Sequence, residues 1–134
     1  MQALVVIAHG SRRQASNQEV IDLAFRLQHT AGDRYPLIEP GFLELASPSI
    51  PEAIETCIRS GATSVVVVPY FLAAGRHVIE DIPEIVQPVA LQHPDVSIRI
   101  SAHIGLAESM TRLILDSANG HSVPVPASGV EHSG

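Results

Sequence analysis

Residues 3–8 (ALVVIA) are apolar at every position and rich in β-branched side chains. An unbroken run of that length reads as a strand buried on both faces, as in the interior of a parallel sheet. After the turn His9-Gly10-Ser11-Arg12-Arg13 the period changes. Val20, Ala24, Leu27 and Ala31 recur at helical spacing, Ser16-Asn17-Gln18-Glu19 has the spacing of a capping box, and Gly32-Asp33 ends the helix. Residues 36–45 (PLIEPGFLEL) read as a second strand, weakened by Pro40 and Gly41. Ser49-Ile50-Pro51-Glu52 repeats the cap spacing. Ile50, Ala53, Ile54, Cys57 and Ile58 then mark one face of a helix that Gly61 stops. Residues 64–70 (SVVVVPY) form a third buried strand.

The second half is less regular. Residues 76–92 carry Ile79, Ile82, Ile85, Val86 and Val89 on one helical side, with Pro83 and Pro88 expected to bend or interrupt it. Residues 96–101 (VSIRIS) alternate, as a half-exposed strand does. Leu106, Met110, Leu113 and Ile114 mark a last helix ended by Asn119-Gly120. The order is β-α-β-α-β-α-β-α, with short links. That order predicts an α/β fold: a three-layer sandwich on a small, four-stranded parallel sheet. The expected organisation is a single domain over residues 1–119 and a disordered Pro/Ser/Gly-rich tail over 120–134.

Composition narrows the function. The chain has 134 residues and one cysteine, Cys57, which rules out an intramolecular disulfide framework and a cysteine-based zinc finger. Its net charge is −6, and all eight basic residues are arginine. An acidic chain of this kind is a poor nucleic-acid binder, so no nucleic-acid partner is expected. Arginine suits two-point grips on carboxylates or phosphates. The longest apolar run, Val65 to Ala74, contains Pro69 and is half a membrane span, and residues 1–8 lack a basic leader segment. A cytoplasmic protein with no membrane partner is expected.

Ligands of open parallel sheets bind beyond the carboxyl ends of the strands. His9, Glu44, the stretch Phe71 to His77, and His103 all fall just past strands, so the topology carries them to one edge. Imidazole binds Zn, Co, Ni and Fe and also accepts protons near neutral pH. Each residue has a plainer reading beside this one. A lone histidine after a strand is more often a turn or capping residue than a ligand, Glu44 reads equally well as an exposed strand end, and Arg12 and Arg13 read as solvated loop charges. His103 reads as a cap before the last helix, His29, His93, His121 and His132 as surface residues, and Cys57 as core. The turn at His9-Gly10-Ser11 could also cradle an anion, but it has neither a Walker A nor a G-x-G-x-x-G pattern.

Three segments, ALVVIAHGSRRQASNQEV, FLELASPSIPEAI and VVVVPYFLAAGRHVIEDIPE, together resemble the short class II chelatases, the small sirohydrochlorin chelatases of cobalamin and siroheme synthesis. The similarity spans nearly all of residues 3–116. It implies a chelatase-like fold related to flavodoxin, and insertion of a divalent metal, cobalt first and iron second, into sirohydrochlorin. By that resemblance His9 is the proton-accepting, metal-contacting histidine and His77 the second metal contact. Glu44 matches the acidic substrate position, and Leu72, Ala73, Ala74, Gly75, Arg76 and His77 match the loop that lines the tetrapyrrole. The substrate is rimmed with carboxylates, which gives Arg12, Arg13 and Arg76 a binding role. The apolar stretch Phe71 to Ala74 offers the macrocycle a floor. No permanently bound cofactor is implied, the divalent metal (Co2+, Fe2+ or Ni2+) being a substrate. Larger chelatases hold two copies of this unit, so a homodimer is implied. The other readings are a metal- or tetrapyrrole-binding carrier or regulatory homologue without turnover, and a phosphate-binding flavodoxin-like module.

Overall fold

Four parallel strands, ordered β2-β1-β3-β4, form one sheet in the computed structural model, which describes residues 1–127. Strand β1 (Gln2–Ala8) pairs with β2 (Leu37–Phe42) on one side and β3 (Ser64–Pro69) on the other. Strand β4 (Ser97–Ile100) closes the far edge against β3. The central position of β1 explains why its run is apolar throughout. Ala3, Val5 and Ile7 enter a core shared with helices α2 (Ile50–Arg59) and α3 (Arg76–Gln92). Leu4 and Val6 face α1 (Gln14–Ala31) on the other side, with Ala24, Leu27 and Ile38. The result is the expected three layers. Pro40 is tolerated because β2 is an edge strand.

Several boundaries depart from the sequence reading, each for a physical reason. Helix α1 starts at Gln14 with Arg13 at the N-cap and no side-chain cap bond, so Ser16–Glu19 is not a capping box. Ser49 does cap α2, its hydroxyl accepting from the Glu52 N–H at 3.2 Å. Strand β2 ends at Phe42, and Glu44 lies two residues beyond it. Helix α3 runs unbroken through Pro83 and Pro88. Both prolines are solvent-exposed, so the carbonyls they leave without a helical partner, those of Ile79 and Glu84, lie on the side of the helix that water can satisfy. Ile82, Val86 and Val89 remain buried against the sheet.

The last elements differ most. Leu106 belongs to a 3-10 turn, Ile104–Leu106, and α4 begins only at Met110 and ends at Asn119. No residue of α4 is buried, and Leu113, Ile114 and Leu115 are exposed. Beyond Gly120 the described residues of the expected tail, 121–127, carry no helix or strand; residues 128–134, His132 included, lie outside the described residues.

Candidate active site

The chain leaves β1 and β3 toward opposite faces of the sheet, α1 covering one face and α3 the other. The gap between the carboxyl ends of these two neighbouring strands is the topological switch point, where open α/β sheets bind ligands. His9 stands there. Its ring lies 4.7 Å from the ring of Phe71, centroid to centroid, tilted by 54°. Phe71 is buried, and His9 is exposed. The buried Phe71 ring thus backs an exposed imidazole.

The backbone leading into His9 is held by strand pairing. The N–H of Leu43 donates to the Ala8 carbonyl and that of Glu44 to the His9 carbonyl, both at 3.0 Å, so the β1–β2 pairing continues past the formal strand ends. Gly10 has φ +88°, and a Cβ there would fall on the Glu44 carbonyl oxygen, so only glycine fits. On the far side, the Gly105 N–H donates to the Phe71 carbonyl at 3.0 Å, and a Cβ on Gly105 would strike the Leu72 carbonyl. These two close approaches lock the β1 and β3 loops to their neighbours. Neither glycine carries a pattern that a single sequence reveals, because close approach is a property of the partner backbone.

The residues expected at the site do lie along this edge. Glu44 is exposed and tied to His9 through the backbone. Arg12 and Arg13 are exposed on the turn after His9. Leu72, Ala73, Gly75, Arg76 and His77 are exposed, with Ala74 half-buried, between β3 and the first turn of α3. Arg76 pairs with Glu80 one helical turn on, Nε to Oε1 at 3.3 Å; the arginine side chain is 90% exposed, so the pair is weak and free to exchange partners. Phe71 is the exception within the expected floor: it is the wall behind His9, and the exposed large apolar side chains in the loops after the strands are Leu45, Tyr70, Leu72 and Leu106. Among the described residues no three imidazole, carboxylate or thiol groups converge on one point that would hold a metal, so His9, His77 and Glu44 do not form a ready-made cage.

Other residues take roles their spacing did not signal. Asn17 folds back on the His9 turn: its Nδ2 donates to the Ser11 carbonyl at 2.7 Å and its Oδ1 accepts from the Ser11 N–H at 2.9 Å. His103 lines an apolar cavity of about 160 Å³ with Phe71, Ile82 and Ile100, on the side of Phe71 away from α1, and makes no cap bond. His93, expected at the surface, is half-buried, its Nε2 2.9 Å from Glu55 Oε1. His29 is exposed beside Phe25, and His121 is exposed. Cys57 is a core residue, as expected, and its thiol is pushed up to about 11 by burial first and the Glu39 carboxylate second.

Comparison with known proteins bears directly on this arrangement. Residues 3–120 match the family model of CbiX. The chain is 37% identical over 116 residues to the chloroplastic sirohydrochlorin ferrochelatase of Arabidopsis thaliana, covering 87% of this chain and 49% of that protein. It is 37% identical over 93 residues to the sirohydrochlorin cobaltochelatase of Methanocaldococcus jannaschii, covering 69% of this chain and 64% of that one. The crystal structure of the sirohydrochlorin chelatase SirB from Bacillus subtilis subspecies spizizenii, in complex with cobalt, aligns with a TM-score of 0.77 at 30% identity, over 88% of this chain and 50% of that one. The chain spans about half the length of the ferrochelatases of Arabidopsis and Bacillus subtilis that it matches.

Proposed function

The chain belongs to the CbiX family, and we propose that it is a sirohydrochlorin chelatase that inserts a divalent metal, cobalt first and iron second, into the tetrapyrrole. The observation that carries this reading is an exposed imidazole, His9, held against a buried aromatic wall at the switch point of the sheet. The relatives named as cobaltochelatase and as ferrochelatase support both metals.

Insertion replaces two pyrrolic protons by one divalent ion, and the hydrated ion must shed water on the way. His9 first takes one place in the ion's shell through its single free lone pair and, once the ion has passed to the macrocycle, the freed neutral imidazole accepts a pyrrole proton. His77 supplies a second, separately mounted ligand. Donors on two different loops can hold the ion briefly and let it go, whereas a closed four-donor cage would keep it. Leu45, Tyr70, Leu72 and Leu106, each exposed, offer apolar contacts to the macrocycle. Glu44 sits beside His9 to orient the substrate or take the second proton. Arg12, Arg13 and Arg76 reach the peripheral carboxylates, which a protein of net charge −6 would otherwise repel.

The metal is substrate, and no permanently bound cofactor is needed. Larger chelatases hold two copies of this unit, and on that resemblance the enzyme works as a homodimer. We place it in the cytoplasm; among the described residues no helix is long and apolar enough to cross a membrane.

The test is an anaerobic assay with sirohydrochlorin and Co2+ or Fe2+, followed by absorbance. Many metallated products per chain are expected. Product that stops at one equivalent would point to a metal or tetrapyrrole carrier instead. Replacing Arg12, Arg13 or Arg76 by alanine is expected to raise KM and weaken its salt dependence with kcat little changed, because the carboxylates they hold change little during insertion. A fall in kcat at constant KM would remove these arginines from the binding role.

A further inference from the structure

We infer that Asn17 is the positioning residue of the site: its carboxamide clasps Ser11 and thereby holds the His9 imidazole where insertion needs it. This rests on the chelatase reading above for its effect on turnover, but not for its effect on His9.

The geometry is specific to an amide. Ser11 offers a backbone donor and a backbone acceptor, and Asn17 answers both at once, with bonds of 2.9 and 2.7 Å. Both residues are half-buried. A third bond finishes the turn, the Arg13 N–H donating to Ser11 Oγ at 3.0 Å. On the other side, the His9 carbonyl accepts from Glu44 and Gly10 is wedged under the Glu44 carbonyl. The segment from 9 to 13 is thus pinned at each end, by strand pairing before Gly10 and by the clasp after it. Without the clasp the turn is held only by the Glu44 N–H on the His9 carbonyl, and Gly10, the most freely rotating residue in the segment, lets it pivot three bonds from the His9 Cα. Asn17 also lines the same hollow as His9 and Phe71, a space of about 230 Å³. The clasp is not needed to start the helix, since α1 already begins three residues earlier, at Gln14.

Position matters unequally to the groups on this turn. A ligand and base that must meet an ion and a pyrrole proton tolerates little displacement; misplacement by about 1 Å can cost on the order of 100-fold in rate. Arg12 and Arg13 are long, exposed and flexible, so they follow a carboxylate even when the turn loosens. Loss of the clasp therefore separates kcat from KM.

The decisive variants are Asn17→Ala, which removes both bonds, and Asn17→Asp, which keeps the acceptor but turns a carboxylate oxygen on the Ser11 carbonyl. Alanine is the better helix former, so α1 itself is not weakened, and circular dichroism checks the fold of both. Two readouts are taken on the full chain. The first needs neither metal nor substrate: nuclear Overhauser contacts between the His9 and Phe71 rings, expected in the wild type and lost in both variants. The second is steady-state insertion of Co2+, with kcat expected to fall about 10–100-fold and KM for the tetrapyrrole to move less than about 3-fold. Ring contacts that survive in Asn17→Ala overturn the inference whatever the activity. Lost contacts with wild-type kcat overturn it as well. A wild-type protein that does not turn over sinks the chelatase reading alone, and the ring contacts still decide the role of Asn17.

Discussion

His9 and His77 sit on different loops of the same sheet edge, and the separation gives them different defects. His9→Ala removes a ligand and the proton acceptor together, so the rate is expected to fall by at least about 10²–10⁴-fold and excess metal should not restore it. His77→Ala removes a ligand only, and part of its loss should be recovered at higher metal concentration. A metal titration of both variants checks this, and full rescue of His9→Ala by metal would move the base to Glu44 or His103. Cys57 makes a prediction of another kind. Its ordinary value is 9.0, and burial holds it near about 11 in the folded chain. Between those values the unfolded chain has given up the thiol proton and the folded chain keeps it, so stability falls as pH rises from 9 to 11. The fall totals about 2–3 kcal/mol across that window. Denaturant midpoints should show the fall in the wild type and less of it in Cys57→Ala.

Helices α2 and α3 share one face of the sheet and are joined near its amino end by the pair of Glu55 and His93, at 2.9 Å and half-buried. The pair ties His93, which caps the end of α3, to the middle of α2, across 38 positions of sequence. Glu55→Gln is expected to cost about 1 kcal/mol, as a half-buried charge-assisted bond would. Glu80→Gln, which breaks the exposed pair with Arg76 in the same helix, should cost under about 0.5 kcal/mol. Urea unfolding of both variants compares them directly, and equal costs would show that His93 is not a brace. Helix α3 also illustrates how an element outlives its local signals. Two prolines argue for a break, yet Ile82, Val86 and Val89 bury on the sheet and both prolines face water.

At the level of the molecule, the fold places its chemistry at one edge and leaves α4 outside the core. The described residues of the proposed tail, 121–127, belong to neither. Ending the chain after Asn119 is expected to leave the thermal midpoint and the insertion rate unchanged, since residues 121–127 are exposed and carry no helix or strand. A large loss of rate on truncation would give the tail a role in the reaction. The active chain should sediment at twice the monomer mass at micromolar concentration, and an active sample of monomer mass alone would rule out the homodimer.

The second strand was legible in 36–45 despite Glu39 and Pro40, which an edge strand tolerates, and the parallel sheet and the three layers in residues 3–8 and 64–70, where burial on both faces leaves almost no polar position. The face of α2 was legible for the same reason, as was the set of edge positions His9, Glu44 and His77, which follow from where strands end. Asn17 was not: its spacing from Ser16 and Glu19 imitates a cap, and only the path of the turn shows its amide closing on Ser11. Nor were Gly105 or the wall made by Phe71, since each depends on how near a distant segment comes. The apolar side of α4 was legible as a helix face but not as an exposed one. Periodicity records which side chains avoid water along one element. Which groups meet across elements is set by the approach of backbones far apart in the chain, and that is written only in three dimensions.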